Sequence, residues 1–156
     1  MDYSEEITRD VKDFLDNDDW HYSYDEEDKT FKFNLSLRSK LSNASFFISI
    51  NPNCAAVYAV LPVSVPDDDA EAKKRMAEFI CRASCGLRIG SFEFDYDTGT
   101  IRYHVGVPAM NRSCGPFPVK EAVNIAAGTI DRYAPGLTAV LFTDKSPKEA
   151  VEMCDQ

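Results

Sequence analysis

The sequence predicts an α+β fold, an antiparallel sheet with flanking helices, and three observations carry that prediction. First, Phe31, Phe33, Leu35 and Leu37 alternate with Lys32, Asn34, Ser36 and Arg38. Such alternation gives a strand one buried and one wet face, as in an antiparallel sheet. Second, strand-like runs follow one another directly instead of alternating with helices, which separates this class from the doubly wound folds. Third, helical stripes occur only before, between and after those runs. The predicted order is α-β-β-β-β-α-β-β-α-α, in a single domain covering residues 1–156.

Each element has a local reason. Ser4 caps a helix over 4–16, Glu5 and Glu6 suit its positive end, and Ile7, Val11, Phe14 and Leu15 form its apolar stripe. Asn17-Asp18-Asp19 stops it. Trp20, Tyr22 and Tyr24 then alternate as a short strand, and 25–29 is a charged turn. After the Phe31–Arg38 strand, Ser42-Asn43 turns the chain. Phe46, Ile48 and Ile50 resume the alternation up to a turn at Asn51-Pro52-Asn53. The run 55–61 is apolar at every position and is expected to be covered on both faces.

Residues 62–66, bounded by Pro62 and Pro66, read as a linker to an acidic helix start at Asp67-Asp68-Asp69. That helix runs to about Cys85, with Ala72, Met76, Phe79, Ile80 and Ala83 on one face and Gly86 just beyond its end. Lys73-Lys74-Arg75 reads as a solvated face. A hairpin follows over Ser91–Val107. Its parity puts Phe92 and Phe94 on the face of Ile101 and Tyr103. The expected register pairs Tyr96 with Ile101 and Phe94 with Tyr103 around a four-residue loop, with Gly99 at positive φ. Glu93 and Asp95 then face Arg102 and His104. A Pro- and Gly-rich loop spans 108–118. A helix over 119–133 has Val119, Val123, Ala126, Ala127 and Ile130 on one stripe and is interrupted at Pro135-Gly136. The stretch 137–142 fits helix or strand equally. Ser146-Pro147-Lys148-Glu149 is a capping box that opens a short last helix.

Composition limits the function classes. With 26 acidic and 17 basic residues the net charge is −9. Such a chain repels phosphate backbones and anionic membrane surfaces, so neither nucleic acid nor membrane is an expected partner. The N-terminal stretch has no apolar signal-like region, and five cysteines at irregular spacing suit reduced thiols, so a cytoplasmic protein is expected.

Catalytic motifs are weak. Asp95-Tyr96-Asp97-Thr98 resembles the DxDxT nucleophile motif of haloacid-dehalogenase-type phosphatases, but a strand rather than a helix follows it, so a polar turn is the simpler reading. It also fails as a calcium loop, because Gly106 stands where the bidentate glutamate belongs. Cys81 and Cys85 share a helix face, yet only His21 and His104 are available as imidazole partners for a zinc site. No enzyme activity, metal or cofactor is therefore expected. The binding candidates are Met110, Asn111 and Arg112 on the long loop, and Tyr58 and Phe47 on the outer face of the sheet.

Spaced residues add a family likeness. Met76-x-x-Phe79-Ile80-x-Arg82, Leu87-x-x-Gly90-x-Phe92-Glu93-x-Asp95 and Thr98-Gly99-x-Ile101-x-Tyr103 resemble the core of the YbjN-domain proteins, bacterial proteins described as sensory transduction regulators. The likeness covers about residues 5–145. Position 84 departs from it, with Ser where the family leads one to expect Asn. The resemblance implies a fold like that of type III secretion chaperones, which are small, acidic, cytosolic and usually dimeric. They hold segments of partner proteins. It implies no catalytic residues. The expected function is a non-enzymatic protein-binding or regulatory module, a homodimer with a protein or peptide partner. A small-ligand sensor and a phosphatase using Asp95 and Asp97 are the alternatives.

Overall fold

The computed structural model describes residues 2–110 and 112–155. The order is α1 (Glu5–Asn17), β1 (Ser23–Asp25), β2 (Thr30–Ser36), β3 (Asn43–Ile50), β4 (Cys54–Ser64), α2 (Ala70–Ser84), β5 (Ser91–Phe94), β6 (Thr100–Pro108), α3 (Pro116–Phe142) and α4 (Pro147–Glu152). The six strands form one antiparallel sheet in the order β1-β2-β3-β4-β6-β5. The α+β class and the predicted element order therefore hold.

The alternation read from the sequence sorts the sheet into two faces. Phe31, Phe33, Phe46, Ile48, Val57, Ala59, Tyr103 and Val105 point to one side. There they form a single core with Ile7, Val11 and Leu15 of α1, Met76 and Phe79 of α2, and Val123, Ile130 and Leu137 of α3. Their neighbours in sequence point to the other side, which carries Lys32, Asn34, Phe47, Tyr58, Arg102 and His104 and is partly or fully exposed. The sheet is thus two-layered, with helices on one face. The expectation that 55–61 is covered on both faces is corrected. Ala55, Ala56, Val57, Ala59 and Leu61 are buried, whereas Tyr58 and Val60, on the same face as Ala56, are only half-buried, because no second helical layer packs over them.

Ser4 caps α1 through the Ile7 N–H, and Ser146 and Glu149 form the reciprocal capping box of α4, as their spacing predicts. Four other expectations are corrected. The strand expected over Trp20–Tyr24 shrinks to Ser23–Asp25, because Asp19 at φ +56 peels the preceding chain away from β2. Pro62 lies inside β4 instead of in a linker. The strand continues to Ser64 past an irregularity in its pairing with β6 between Val60 and Ser64. A residue with no N–H is tolerated there because the ladder is already interrupted.

Pro135 does not end α3. Its ring removes one backbone hydrogen bond, a cost of about 3 kcal/mol in a helix interior. Burial of Leu137, Ala139 and Val140 beyond it offsets that cost, so 137–142 is helix. Gly136 permits the crossing: a Cβ there would lie 2.6 Å from the Ala150 carbonyl oxygen and 2.7 Å from Phe79 Cε2. Finally, Lys73-Lys74-Arg75 is not one solvated face. Lys73 is buried and bonds the Asp67 carboxylate at 3.2 Å. Arg75 donates to the Val140, Thr143 and Lys145 carbonyls at the end of α3.

The hairpin keeps its predicted parity but shifts by two residues. Phe94 pairs with Ile101 and Phe92 with Tyr103. Tyr96 is thereby expelled into the loop, where it is 50 % exposed. The cause is Asp95, whose carboxylate accepts the Asp97 and Thr98 N–H groups and starts the turn one pair early. Gly99 has φ +74 and hugs β4, with its carbonyl accepting the Val65 N–H.

Candidate functional site: the open face of the sheet

Register places the functional side chains. Phe47 pairs with Tyr58, Tyr58 with His104, and His104 with Ser91, so two rings and an imidazole form a row across β3, β4 and β6. The adjacent row is Ser45, Val60, Arg102 and Glu93. All these residues are on the helix-free face.

The row is ordered by contacts rather than by burial. The Tyr58 and His104 rings stack with centroids 4.5 Å apart and planes 19° from parallel. The Arg102 guanidinium lies 4.5 Å from the Tyr58 ring centroid. Glu93 ties the two side chains together: it accepts from Arg102 Nε at 2.5 Å and lies 3.0 Å from His104 Nδ1. Against a carboxylate, Nδ1 is the ring nitrogen that carries hydrogen and donates. Each such half-exposed pair contributes about 0–1 kcal/mol. The effect of the cluster is therefore orientation: Tyr58 is held in one pose on an exposed face. Beside it, Glu93, Phe94, Asp95, Thr98, Thr100 and Arg102 line a shallow depression.

Asp95 does not join this cluster as expected. The Thr98 and Asp97 N–H groups hold its carboxyl below the usual carboxylate range. Its Oδ1 is thereby engaged within its own turn, and β6 follows at once. Thr98 Oγ1 is bonded to Thr100 Oγ1. Among the described residues, no group of three or more His, Cys, Asp or Glu side chains could hold a metal ion. Cys81 and Cys85 are exposed free thiols.

The other candidate residues lie elsewhere. Asn111 lies outside the described residues. Met110 is 67 % exposed at φ +37, and Arg112 is exposed. The loop is shorter than expected, because α3 begins at Pro116. Asp10 of α1, itself buried, accepts the Ser113 hydroxyl at 2.7 Å and the Cys114 N–H at 2.9 Å. The Ala109 and Met110 N–H groups donate to the Asn53 carbonyl. This loop is thus clamped from both sides. His104 to Pro108 alone spans about 13 Å of strand, so Met110 and Arg112 do not converge with Tyr58 and Phe47. The sequence marks Tyr58, Phe47 and the Glu93–Arg102–His104 pairing separately. It did not unite them, because the β4–β6 register that brings Tyr58 to His104 is a long-range pairing.

No helix among the described residues is long and apolar enough to cross a membrane. No family model matches the chain, and no curated protein matches it.

Proposed function

We propose that this protein is a non-enzymatic protein-binding or regulatory module that works in the cytoplasm through the open face of its sheet. The observation that carries this reading is the ordered row Phe47–Tyr58–His104, half-buried on a face that no helix covers. An aromatic ring fixed in one pose loses little conformational entropy on binding, which is why aromatic anchors concentrate interface energy. Gly106 of β6, where a built Cβ meets nothing within 4 Å, leaves space beside it for a partner's side chains. The element order also supports the likeness to YbjN-domain proteins and to type III secretion chaperones, and we retain that family as part of the proposal.

The test is photo-crosslinking in the cells of origin, with benzoylphenylalanine at position 58 and, as control, at the exposed Glu121 of α3. The reading expects discrete protein adducts from position 58 and none from position 121. Equal or absent crosslinking at both sites contradicts it.

A further inference from the structure

We propose that Cys81 and Cys85 form a redox-modification site: a hydroperoxide oxidises the two thiols to a disulfide, and closing that bond unlocks the edge strand β5.

Cysteine is among the most buried residue types, yet Cys81 and Cys85 are both exposed, four residues apart at the C-terminal end of α2. Cys85 still belongs to the helical ladder, because its N–H donates to the Cys81 carbonyl at 3.2 Å. Positions four apart on a helix are neighbours on one face. The remaining thiols are less accessible. Cys154 is buried, and Cys54 and Cys114 are half-buried. Burial and the adjacent Asp10 carboxylate also push Cys114 up to about 11, which keeps it a thiol. Exposure and thiolate character select the cysteine that is oxidised, so oxidant reaches the α2 pair first. A disulfide formed in a reducing cytoplasm is characteristically transient and redox-sensing rather than structural.

Between the two cysteines stands Ser84. Its hydroxyl accepts the Phe92 N–H at 3.0 Å and donates to the Phe92 carbonyl at 3.4 Å, so it closes the outward backbone groups in the middle of β5, the last strand of the sheet. A helix holds Cβ atoms four residues apart at about 5–6 Å, whereas a disulfide needs about 3.5–4.5 Å. The bond therefore cannot close on an intact turn, and its ends must approach by about 1.5 Å. On the Cys81 side the helix is fixed, because Phe79, Ile80 and Ala83 are buried. On the Cys85 side it is free. Cys85 has left helical geometry at ψ 117, and Gly86 beyond it is exposed at φ +92 with nothing within 4 Å of a built Cβ. The movement falls on Ser84 and Cys85 and draws the hydroxyl off Phe92. The N–H and carbonyl so released are those of an open edge strand.

One hydroperoxide suffices for the oxidation. One thiolate attacks a peroxide oxygen and the O–O bond breaks. A sulfenic acid forms, and the leaving oxygen takes a proton. The second thiolate then attacks that sulfur, the S–S bond forms, and the S–O bond breaks with release of water. The two thiols together lose two electrons and two protons, and the hydroperoxide takes them up. A disulfide that is both strained and exposed is readily reduced again by small thiols.

The experiment treats the purified chain with hydrogen peroxide, maps its disulfides by peptide mass spectrometry, and follows hydrogen exchange at the Phe92 amide by NMR. The expected product is an intrachain Cys81–Cys85 disulfide, with exchange at Phe92 faster by about tenfold and restored by dithiothreitol. In a Cys81→Ser, Cys85→Ser double variant, peroxide leaves that exchange unchanged. In Ser84→Ala the exchange is already fast and oxidation adds little to it. A Cys81–Cys85 disulfide with unchanged exchange at Phe92 overturns the inference. So does oxidation that stops at separate sulfenic or sulfinic acids, or that joins two chains or other cysteines.

Discussion

The Ser84 hydroxyl accepts the Phe92 N–H at 3.0 Å and donates to the Phe92 carbonyl at 3.4 Å, so one side chain closes both outward groups of the edge-strand residue. An open edge strand invites pairing with another chain. Here the last turn of α2 blocks β5 at its middle. An Asn at position 84 would carry a donor and an acceptor of its own. We expect Ser84→Ala to cost about 1–2 kcal/mol, the penalty of an unsatisfied backbone group. Ser84→Asn should keep most of the stability. Chemical denaturation measures both, and hydrogen exchange at the Phe92 amide should accelerate only in the alanine variant.

Two glycines should respond in opposite directions to alanine. Gly99 has φ +74, and a Cβ there would stand 2.0 Å from the Val65 carbonyl oxygen. Gly99→Ala should therefore destabilise by about 2 kcal/mol or more. Gly128, inside α3, has nothing within 4 Å of a built Cβ. Gly128→Ala should stabilise by about 1 kcal/mol through the unfolded state and helix propensity. Thermal melts of the pair decide the matter, and a loss of stability in Gly128→Ala contradicts the placement of that face in solvent.

Asp131 should shape the acid limb of stability. Burial alone would raise its carboxyl. The hydrogen bonds it accepts from the 38–39 loop, with the Arg38 and Ser39 N–H groups at 3.1 and 3.0 Å, outweigh that and hold it below the usual carboxylate range. A carboxyl lowered by folding stabilises the protein above its unfolded value, about pH 4, and the contribution disappears as pH falls through its folded value. Asp131→Asn should cost about 1 kcal/mol at neutral pH, a figure kept small by partial exposure. The difference from the parent should narrow as pH falls from about 4 through the lowered folded value. Urea titrations across that range would show a constant difference if the interaction were not ionic.

The thiols should divide by position. Burial and the adjacent Asp10 carboxylate push Cys114 up to about 11, and burial also raises Cys154. Cys81 and Cys85 are exposed. Iodoacetamide at about pH 8 alkylates thiolates, so the folded protein should label at Cys81 and Cys85 while Cys114 and Cys154 remain unmodified. Peptide mapping by mass spectrometry reads the outcome. Asp10→Asn should speed labelling of Cys114.

Local chemistry made most of the fold legible. Alternation fixed which face of β2, β3 and β6 is buried, and capping residues located the starts of α1 and α4. Parity assigned the hairpin faces even though the register moved by two residues. The misreadings share a cause, that tertiary contacts overrode local signals. Pro135 stayed within α3 because Leu137 and Val140 are buried beyond it. Lys73 left solvent to bond Asp67, and Asp95 shortened the paired hairpin by capping its own turn. The site was legible only in pieces. Phe47 and Tyr58 could be placed on the outer face, but their union with His104, Arg102 and Glu93 depends on the pairing of β4 with β6, which are separated by α2 and β5.

Phe47, Tyr58 and Val60 should be covered when the protein is at work. Hydroxyl-radical footprinting measures this directly, comparing the purified protein with the same chain inside its cells of origin. Relative to Phe117 and Phe142, oxidation of Phe47 and Tyr58 should be severalfold slower in cells than in the purified protein. Equal rates at Phe47 and Tyr58 in both states, with protection at Phe117 or Phe142 instead, would contradict it.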